Sequence, residues 1–184
     1  MSGKARKTAV LTVRLSKELN DVLLEDAEQN GITASSLVNR IVKKYVEWDR
    51  HAEKFKFVSI AAETFRVLVE SVDENAAKKI KSLVESGIPE AVTLFWFKKL
   101  NLETILKYIS LYGKYTGQYT SEVDFREGNH VVTIHHEFGK RWSTTIGSDL
   151  SQFISRELGV VPQTQTTDNT AMITFRAEDQ HTPA

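Results

Sequence analysis

The first hydrophobic pattern in the chain is an alternation between two sets of side chains in "TAVLTVRLSKEL", residues 8–19. Such an alternation predicts a short β-strand with two unlike faces. One face carries Leu11, Val13 and Leu15, and the other carries Val10, Thr12 and Arg14. No second strand follows within hairpin distance, and a lone strand leaves its backbone N–H and C=O groups unpaired. The strand therefore needs a partner from elsewhere.

Two amphipathic helices follow this strand. Ser16 is a good N-cap for the first helix, whose apolar positions recur at helical spacing. These positions are Leu19, Val22, Leu23 and Ala27. Asn30-Gly31 ends that helix, and Thr33 caps a second one over about residues 34–48.

One strand and two helices within fewer than fifty residues are too small to bury a core alone. The simplest solution is that the strand pairs with its own copy in a second chain, as a two-stranded antiparallel ribbon above interlocked helices. Leu11, Val13 and Leu15 would then face the helices, because successive side chains of a strand point to opposite faces. The polar face would point outward, and a two-stranded ribbon fits the major groove of B-DNA.

The outward residues have side chains suited to reading bases. Arg14 would donate to guanine O6 and N7, Thr12 would hydrogen-bond to a base edge, and Val10 would touch a thymine methyl group. Val10 is a poor base reader, so sequence preference would depend on Thr12 and Arg14. The start of the second helix would bind a DNA phosphate through its free N–H groups and hydroxyls. An ordinary N-cap is the alternative interpretation of Thr33.

The stretch "LTVRLSKELNDVLLEDAEQNGITASSLVNRIVKKYV", within residues 8–48, closely resembles the ribbon-helix-helix family of DNA-binding repressors. The resemblance rests on the strand of the form T-V-R-L, the polar-capped helix, and the N-G-x-[ST]-x-S-x-L/I pattern that opens the second helix. It implies an obligate dimer whose ribbon reads the major groove. It also implies base-reading positions at Val10, Thr12 and Arg14, and a phosphate clamp at Thr33, Ala34 and Ser35. A ribbon-helix-helix fold used only for dimerisation is the competing interpretation.

Composition and charge add a basic arm to this picture. The chain is neutral overall, with 24 basic and 24 acidic residues, yet residues 1–17 contain five basic residues and no acidic one. We expect Lys4, Arg6 and Lys7 of this arm to contact the DNA backbone, which adds affinity and salt dependence rather than sequence choice. A solvated tail is the alternative. The absence of cysteine excludes disulfides, thiolate nucleophiles and cysteine-ligated metal sites.

The pattern predicts four parts: a DNA-binding and dimerisation domain over residues 1–50, a linker over 51–54, an α+β domain over 55–178, and a tail over 179–184. The α+β domain is predicted as strand "FKFVSI", a block of four helices, strands "QYTSEVDF" and "HVVTIHHEF" around "REGN", helix "KRWSTTIGSDLSQFISREL", and a last hairpin ending in "TAMITF". Pro89 is predicted in the first turn of the third helix of the block, and Asn101 as the N-cap of the fourth. Without the extra helices the order is β-α-β-β-α-β, a ferredoxin-like order that serves as an architectural analogy.

The second domain contains candidate ligand-binding residues but no enzyme signature. His135 and His136 are adjacent on a strand and point to opposite faces, so they cannot both ligate one ion. We expect His136 to be buried and hydrogen-bonded, and His135 to be exposed or at an interface. Lys140, Arg141 and Ser143 lie near a predicted helix N-terminus and form a candidate anion site, with a solvated first turn as the alternative.

Aromatic side chains are numerous in this domain and favour a core, beside which a small-molecule pocket can exist. The candidates are Tyr119, Phe125, Trp142, the "LFWF" run at 94–97, and Tyr108, Tyr112 and Tyr115. No phosphate loop, dinucleotide fingerprint or nucleophile elbow is present, so we expect neither catalysis nor a cofactor.

The sequence therefore predicts a homodimer or higher homo-oligomer that binds double-stranded DNA and regulates transcription, as a repressor. We expect it in the cytoplasm with the nucleoid and not at a membrane, since no apolar run is long enough to span one. Its second domain would sense a small-molecule effector, a metal ion being the special case, or build oligomers. The alternative is an antitoxin or DNA-organising protein whose second domain binds another protein.

Overall fold

The computed structural model of the chain describes residues 9–85 and 87–177. It divides into two compact units, one ending at Val46 and one beginning at Glu47. We call them the N-terminal and the C-terminal unit.

The N-terminal unit contains helix α1, Lys17–Gln29, and helix α2, Ala34–Lys44. Ser16 and Thr33 cap them as predicted: the Ser16 hydroxyl accepts from the N–H of Leu19 at 3.3 Å, and the Thr33 hydroxyl accepts from the N–H of Ser36 at 3.1 Å. Gly31 adopts φ +63 in the turn between the helices, a conformation that suits glycine. The second helix was predicted to end near 48. After α2 the chain continues through a π-helical turn, Tyr45–Asp49, and helix α3, Arg50–Phe55.

Residues 9–16, predicted as a strand, have no regular secondary structure in the single chain. All strands of the described part lie between Thr120 and Phe175. The ribbon was predicted to form between two chains, so its pairing stays a prediction.

The C-terminal unit combines helices with one antiparallel sheet, and the α+β class is confirmed. Its helices are α3, α4 (Ala62–Ser71), α5 (Glu74–Glu85), α6 (Ile88–Phe97), α7 (Leu102–Thr116) and α8 (Gly139–Leu158). Its strands are β1 (Thr120–Arg126), β2 (Asn129–His135), β3 (Gln163–Thr166) and β4 (Thr170–Phe175). Pro89 lies in the first turn of α6, and Asn101 caps α7 in a reciprocal capping box with Thr104, both as predicted.

The predicted strand "FKFVSI" is wrong, and with it the ferredoxin-like order. Lys56 ends α3 in a left-handed conformation, and residues 57–61 have no regular structure. Phe57 instead packs its ring against Trp48 at 5.2 Å and Tyr112 at 6.0 Å between centroids. The apolar side chain at Phe57 therefore packs among aromatic residues rather than on a strand face.

The sheet has the order β1-β2-β4-β3. The chain runs helix, strand, strand twice in succession, α7-β1-β2 and then α8-β3-β4, with β2 and β4 adjacent at the centre. The core lies between the sheet and helices α7 and α8. The sheet contributes Val132, Ile134, Ala171 and Ile173, and the helices contribute Ile105, Ile109, Phe153 and Ile154. Gly147 of α8 lies so close to the sheet that a Cβ there would be 3.0 Å from Thr164 Cγ2.

Candidate nucleic-acid interface

The predicted phosphate clamp lies at the start of α2. Thr33 and Ser35 are exposed and Ala34 is half-buried, so the three residues share one accessible helix end. The first N–H groups of a helix lack intrahelical acceptors and carry partial positive charge, which suits an anion. The Thr33 hydroxyl also donates to Ser36 Oγ at 2.9 Å. The cap contact alone would account for Thr33, so its role toward phosphate stays a prediction.

The predicted base-reading residues are all exposed. Val10 is 98% exposed, and Thr12 and Arg14 are open to solvent. Among the residues that the structure describes, none forms a hydrogen bond or ion pair with the Arg14 guanidinium. In the single chain these side chains are exposed to solvent, but the segment that carries them does not form a strand. Lys4, Arg6 and Lys7 lie outside the described residues.

The N-terminal unit leaves most of its apolar surface uncovered. Leu11 is 81% exposed and Val13 59%, although both belong to the face predicted to pack on helices. The exposed apolar residues of the two helices and the π-turn are Leu19, Val22, Leu24, Val38, Ile41, Val42, Tyr45 and Val46. In the described part of this unit only Ala27 and Leu37 are buried apolar residues. Two such side chains are too few for a stable core.

The C-terminal unit contains two adjoining cavities. The larger, about 690 Å³, lies between the end of α7, the start of β1 and the end of β2. The smaller, about 290 Å³, has several aromatic side chains in its lining, including Trp48, Phe57, Tyr112 and Tyr115. They share Gln118 and Phe138 among their lining residues. A pocket beside an aromatic core is thus present. The volume of the larger cavity lies in the range of small-molecule sites.

Of two further aromatic candidates, Tyr119 lines the larger cavity and Phe125 lines neither cavity. Tyr119 is buried and donates its hydroxyl hydrogen to the Ile109 carbonyl at 2.9 Å, and burial raises the pKa of Tyr119. Phe125 is 65% exposed on the edge strand β1, and its ring is tilted by 53° against that of His130, at 4.9 Å between centroids.

The histidine predictions are confirmed: His136 is buried and His135 is exposed. The N–H of Phe138 donates to His136 Nδ1 at 3.1 Å, so the ring proton must reside on Nε2, which lies 2.8 Å from Ser143 Oγ. Ser143 in turn donates to the Asp168 carbonyl at 3.0 Å. Burial, and secondarily His135, lowers the pKa of His136. A protonated Nε2 cannot accept the serine proton, so this pair is not arranged as a nucleophile with its base.

The residues of the candidate anion site do not converge. Lys140 Nζ donates to the Thr166 carbonyl at 2.6 Å, and Arg141 donates to the Glu70 carbonyl at 2.9 Å. Ser143 is buried against His136. The three side chains point to different partners within the unit, so nothing in the geometry favours an anion between them.

One charged cluster was missed by the sequence analysis. The Nζ atoms of Lys54 and Lys98 lie 4.9 Å and 4.8 Å from the centroid of the same Phe95 ring, beside Arg50 and His51. We call these five residues the Phe95 basic cluster. The spacing of Arg50 and Lys54, one helical turn apart, was the only signal in the sequence, because Lys98 joins them through the tertiary fold.

No protein-family model matches this chain, and no curated protein matches it in sequence. Within residues 9–85 and 87–177, no three His, Cys, Asp or Glu side chains are grouped closely enough to hold a metal ion. In the same described part, no helix combines the length and apolarity needed to cross a membrane.

Proposed function

We propose that the chain is a sequence-specific DNA-binding transcription regulator, acting as a repressor. A homodimer would read the major groove with a two-stranded ribbon made of residues 9–15 from each chain. Thr12 and Arg14 would contact bases, with Val10 against a thymine methyl, and Thr33, Ala34 and Ser35 would hold a phosphate on each side.

The observation that carries this proposal is the exposed apolar face of the segment before α1. Leu11, Val13 and Leu15 alternate with outward polar positions and remain 81%, 59% and 45% exposed in the single chain. Burying such side chains is worth about 1.5–3 kcal/mol each, so a partner that covers them gains substantial free energy. A second copy of the same segment supplies both the missing ladder hydrogen bonds and the covering helices.

The capped helix start supports the same proposal. An exposed helix N-terminus with neighbouring hydroxyls follows the ribbon segment after one further helix, so that base reading and phosphate contacts would come from one small unit. Phosphate contacts of this kind set register and orientation, whereas base contacts set sequence choice.

The C-terminal unit would regulate DNA binding by sensing a small-molecule effector in its adjoining cavities, or would build higher oligomers. A ligand that binds one arrangement of the dimer better than another would shift the population between them. The second candidate function is an antitoxin or DNA-organising protein. The exposed Val123 and Phe125 on edge strand β1, 42% and 65% exposed, favour it because such an edge is able to receive another protein.

Selection of preferred sequences from a random duplex library, followed by gel shift, tests the proposal. We expect Arg14→Ala to abolish sequence preference while the protein stays dimeric, because a bidentate arginine–guanine contact is worth about 1–3 kcal/mol of discrimination. Lys17→Ala, three residues away at the start of α1, is the matched charge control and should keep the preference.

The same selected sequence from wild type and Arg14→Ala would contradict the base-reading role. For the effector, a thermal-shift screen of metals and metabolites on the full-length protein should show stabilisation if the cavities bind a ligand. A co-purifying protein together with no ligand response would favour the second candidate function.

A further inference from the structure

The Phe95 basic cluster concentrates positive charge on the C-terminal unit of a neutral protein. Since both ammonium groups lie within 4.9 Å of one ring centroid, the two charges are within about 10 Å of each other, the Debye length at 0.1 M salt. Within the described residues, neither Lys54 nor Lys98 forms an ion pair with a carboxylate. Two like charges held this close repel each other, and an external anion would relieve that repulsion.

The backbone at Lys98 is strained. Lys98 ends α6 in the left-handed region at φ 59, where glycine is the unstrained residue and a side chain costs about 1–2 kcal/mol. A cation at a helix C-terminus and over an aromatic ring recovers part of that cost. The position therefore combines backbone strain with a charge held over Phe95.

His51 lies among the positive charges of the same cluster. Its pKa is lowered first by burial and then by the charges of Arg50, Lys54 and Lys98. The ring also packs edge-on against Phe95, at 5.7 Å between centroids. The histidine is thus held next to three cations.

We propose that the Phe95 basic cluster is a second nucleic-acid contact, in which Lys54 and Lys98 bind phosphates of the DNA backbone without reading sequence. This inference rests on the proposed function, since it assumes DNA as the polyanion. Double-stranded DNA carries one negative charge per roughly 1.7 Å of its axis, so two cations within about 10 Å can each neutralise a phosphate of one duplex. Phe95 holds the two ammonium groups in place, so less side-chain entropy is lost on binding.

The test is the salt dependence of binding to a random-sequence 30-bp duplex, measured by fluorescence anisotropy with the full-length protein. Each phosphate contact adds about 0.9 to the magnitude of the slope of log affinity against log salt, so Lys54→Gln/Lys98→Gln should reduce that magnitude by about 1.8 for each protomer, or about 3.6 when both protomers of the proposed homodimer contact the duplex. Lys54→Arg/Lys98→Arg keeps the charges and should keep the wild-type slope. Lys78→Gln/Lys79→Gln on the exposed surface of α5 removes the same charge elsewhere and should also leave the slope unchanged.

An unchanged slope in Lys54→Gln/Lys98→Gln, or an equal fall in Lys78→Gln/Lys79→Gln, would overturn the cluster contact. The Arg14 experiment reports separately on the proposed function, because it measures sequence preference and not salt slope. If Lys54→Gln/Lys98→Gln has the wild-type salt slope while Arg14→Ala loses sequence preference, only the cluster contact is refuted. If the salt slope falls in Lys54→Gln/Lys98→Gln while Arg14→Ala keeps the wild-type sequence preference, only the ribbon is refuted. A wild-type protein that binds no duplex at 50 mM salt refutes both.

Discussion

Ser143 Oγ lies 2.8 Å from His136 Nε2 in the interior of the C-terminal unit, and joins the end of β2 to the loop between β3 and β4 through the Asp168 carbonyl. His136 is fixed from its other side by the N–H of Phe138. The chain of hydrogen bonds satisfies a buried imidazole in its neutral form.

We expect the free energy of unfolding to fall as pH drops through the histidine range. The pKa of His136 is lowered in the folded protein, whereas an unfolded histidine titrates near about 6.5. Below that pH the unfolded chain binds a proton that the folded chain does not, so acid favours unfolding. Urea unfolding across this range should show a smaller pH-dependent loss in His136→Gln than in wild type or His135→Gln. If His136→Gln and His135→Gln lost the same unfolding free energy on acidification, the pH dependence would belong to a group other than His136.

Replacing Ser143 by alanine should lower the free energy of unfolding by about 1–3 kcal/mol, because the buried His136 N–H and the Asp168 carbonyl both lose their partner. Thr144→Ala, at the next position, removes an exposed hydroxyl bonded to the Lys140 carbonyl and should change stability by less than about 0.5 kcal/mol. Chemical denaturation measures both. Equal small effects would mean that the buried hydrogen bonds contribute little.

Gly113→Ala should destabilise the C-terminal unit by about 1–3 kcal/mol through overpacking. A Cβ at Gly113 would lie 2.3 Å from a ring carbon of Tyr119. Thermal unfolding should show that only part of this cost disappears in a Tyr119→Ala background, since that variant removes the ring but keeps the Tyr119 carbonyl oxygen, which would lie 2.6 Å from the same Cβ. Additive effects of the two substitutions would show that α7 accommodates the methyl group in some other way.

Val13→Asp should shift the protein from dimer to monomer, because the proposed ribbon places this face against the helices and a buried carboxylate is costly. Val10→Asp, on the opposite face of the same segment, should leave the dimer intact. Sedimentation equilibrium distinguishes the two. Unchanged mass in Val13→Asp would show that the apolar face is not the dimer contact.

Local signals predicted several elements well. The span of α8, both hairpins and the caps at Ser16, Thr33 and Asn101 follow from short-range patterns, and the structure has each of them. The β1–β2 turn falls within the predicted "REGN", where Glu127 and Gly128 take φ of 52 and 78. This pair of positive angles suits the tight turn of a twisted hairpin.

Signals that depend on a partner were less reliable. In residues 55–60 apolar and polar side chains alternate only within "FKF" and within "VSI". None of the described strands pairs with this segment, and Phe57 packs against Trp48 and Tyr112 instead. The ribbon segment has the same kind of pattern and poses the same question, because alternation reports two unlike faces and not what covers either of them.

By itself the sequence determined the features that arise within a few residues: helix periodicity, capping side chains, hairpin turns, and a basic, alternating N-terminal segment. Only the tertiary structure decided which distant elements meet. It set the strand order β1-β2-β4-β3, closed the hydrogen bonds from His136 through Ser143 to Asp168, and brought Lys54 and Lys98 to one ring. The physical reason is that capping and turn energies depend on neighbouring residues, whereas packing partners are selected by burial among the whole chain.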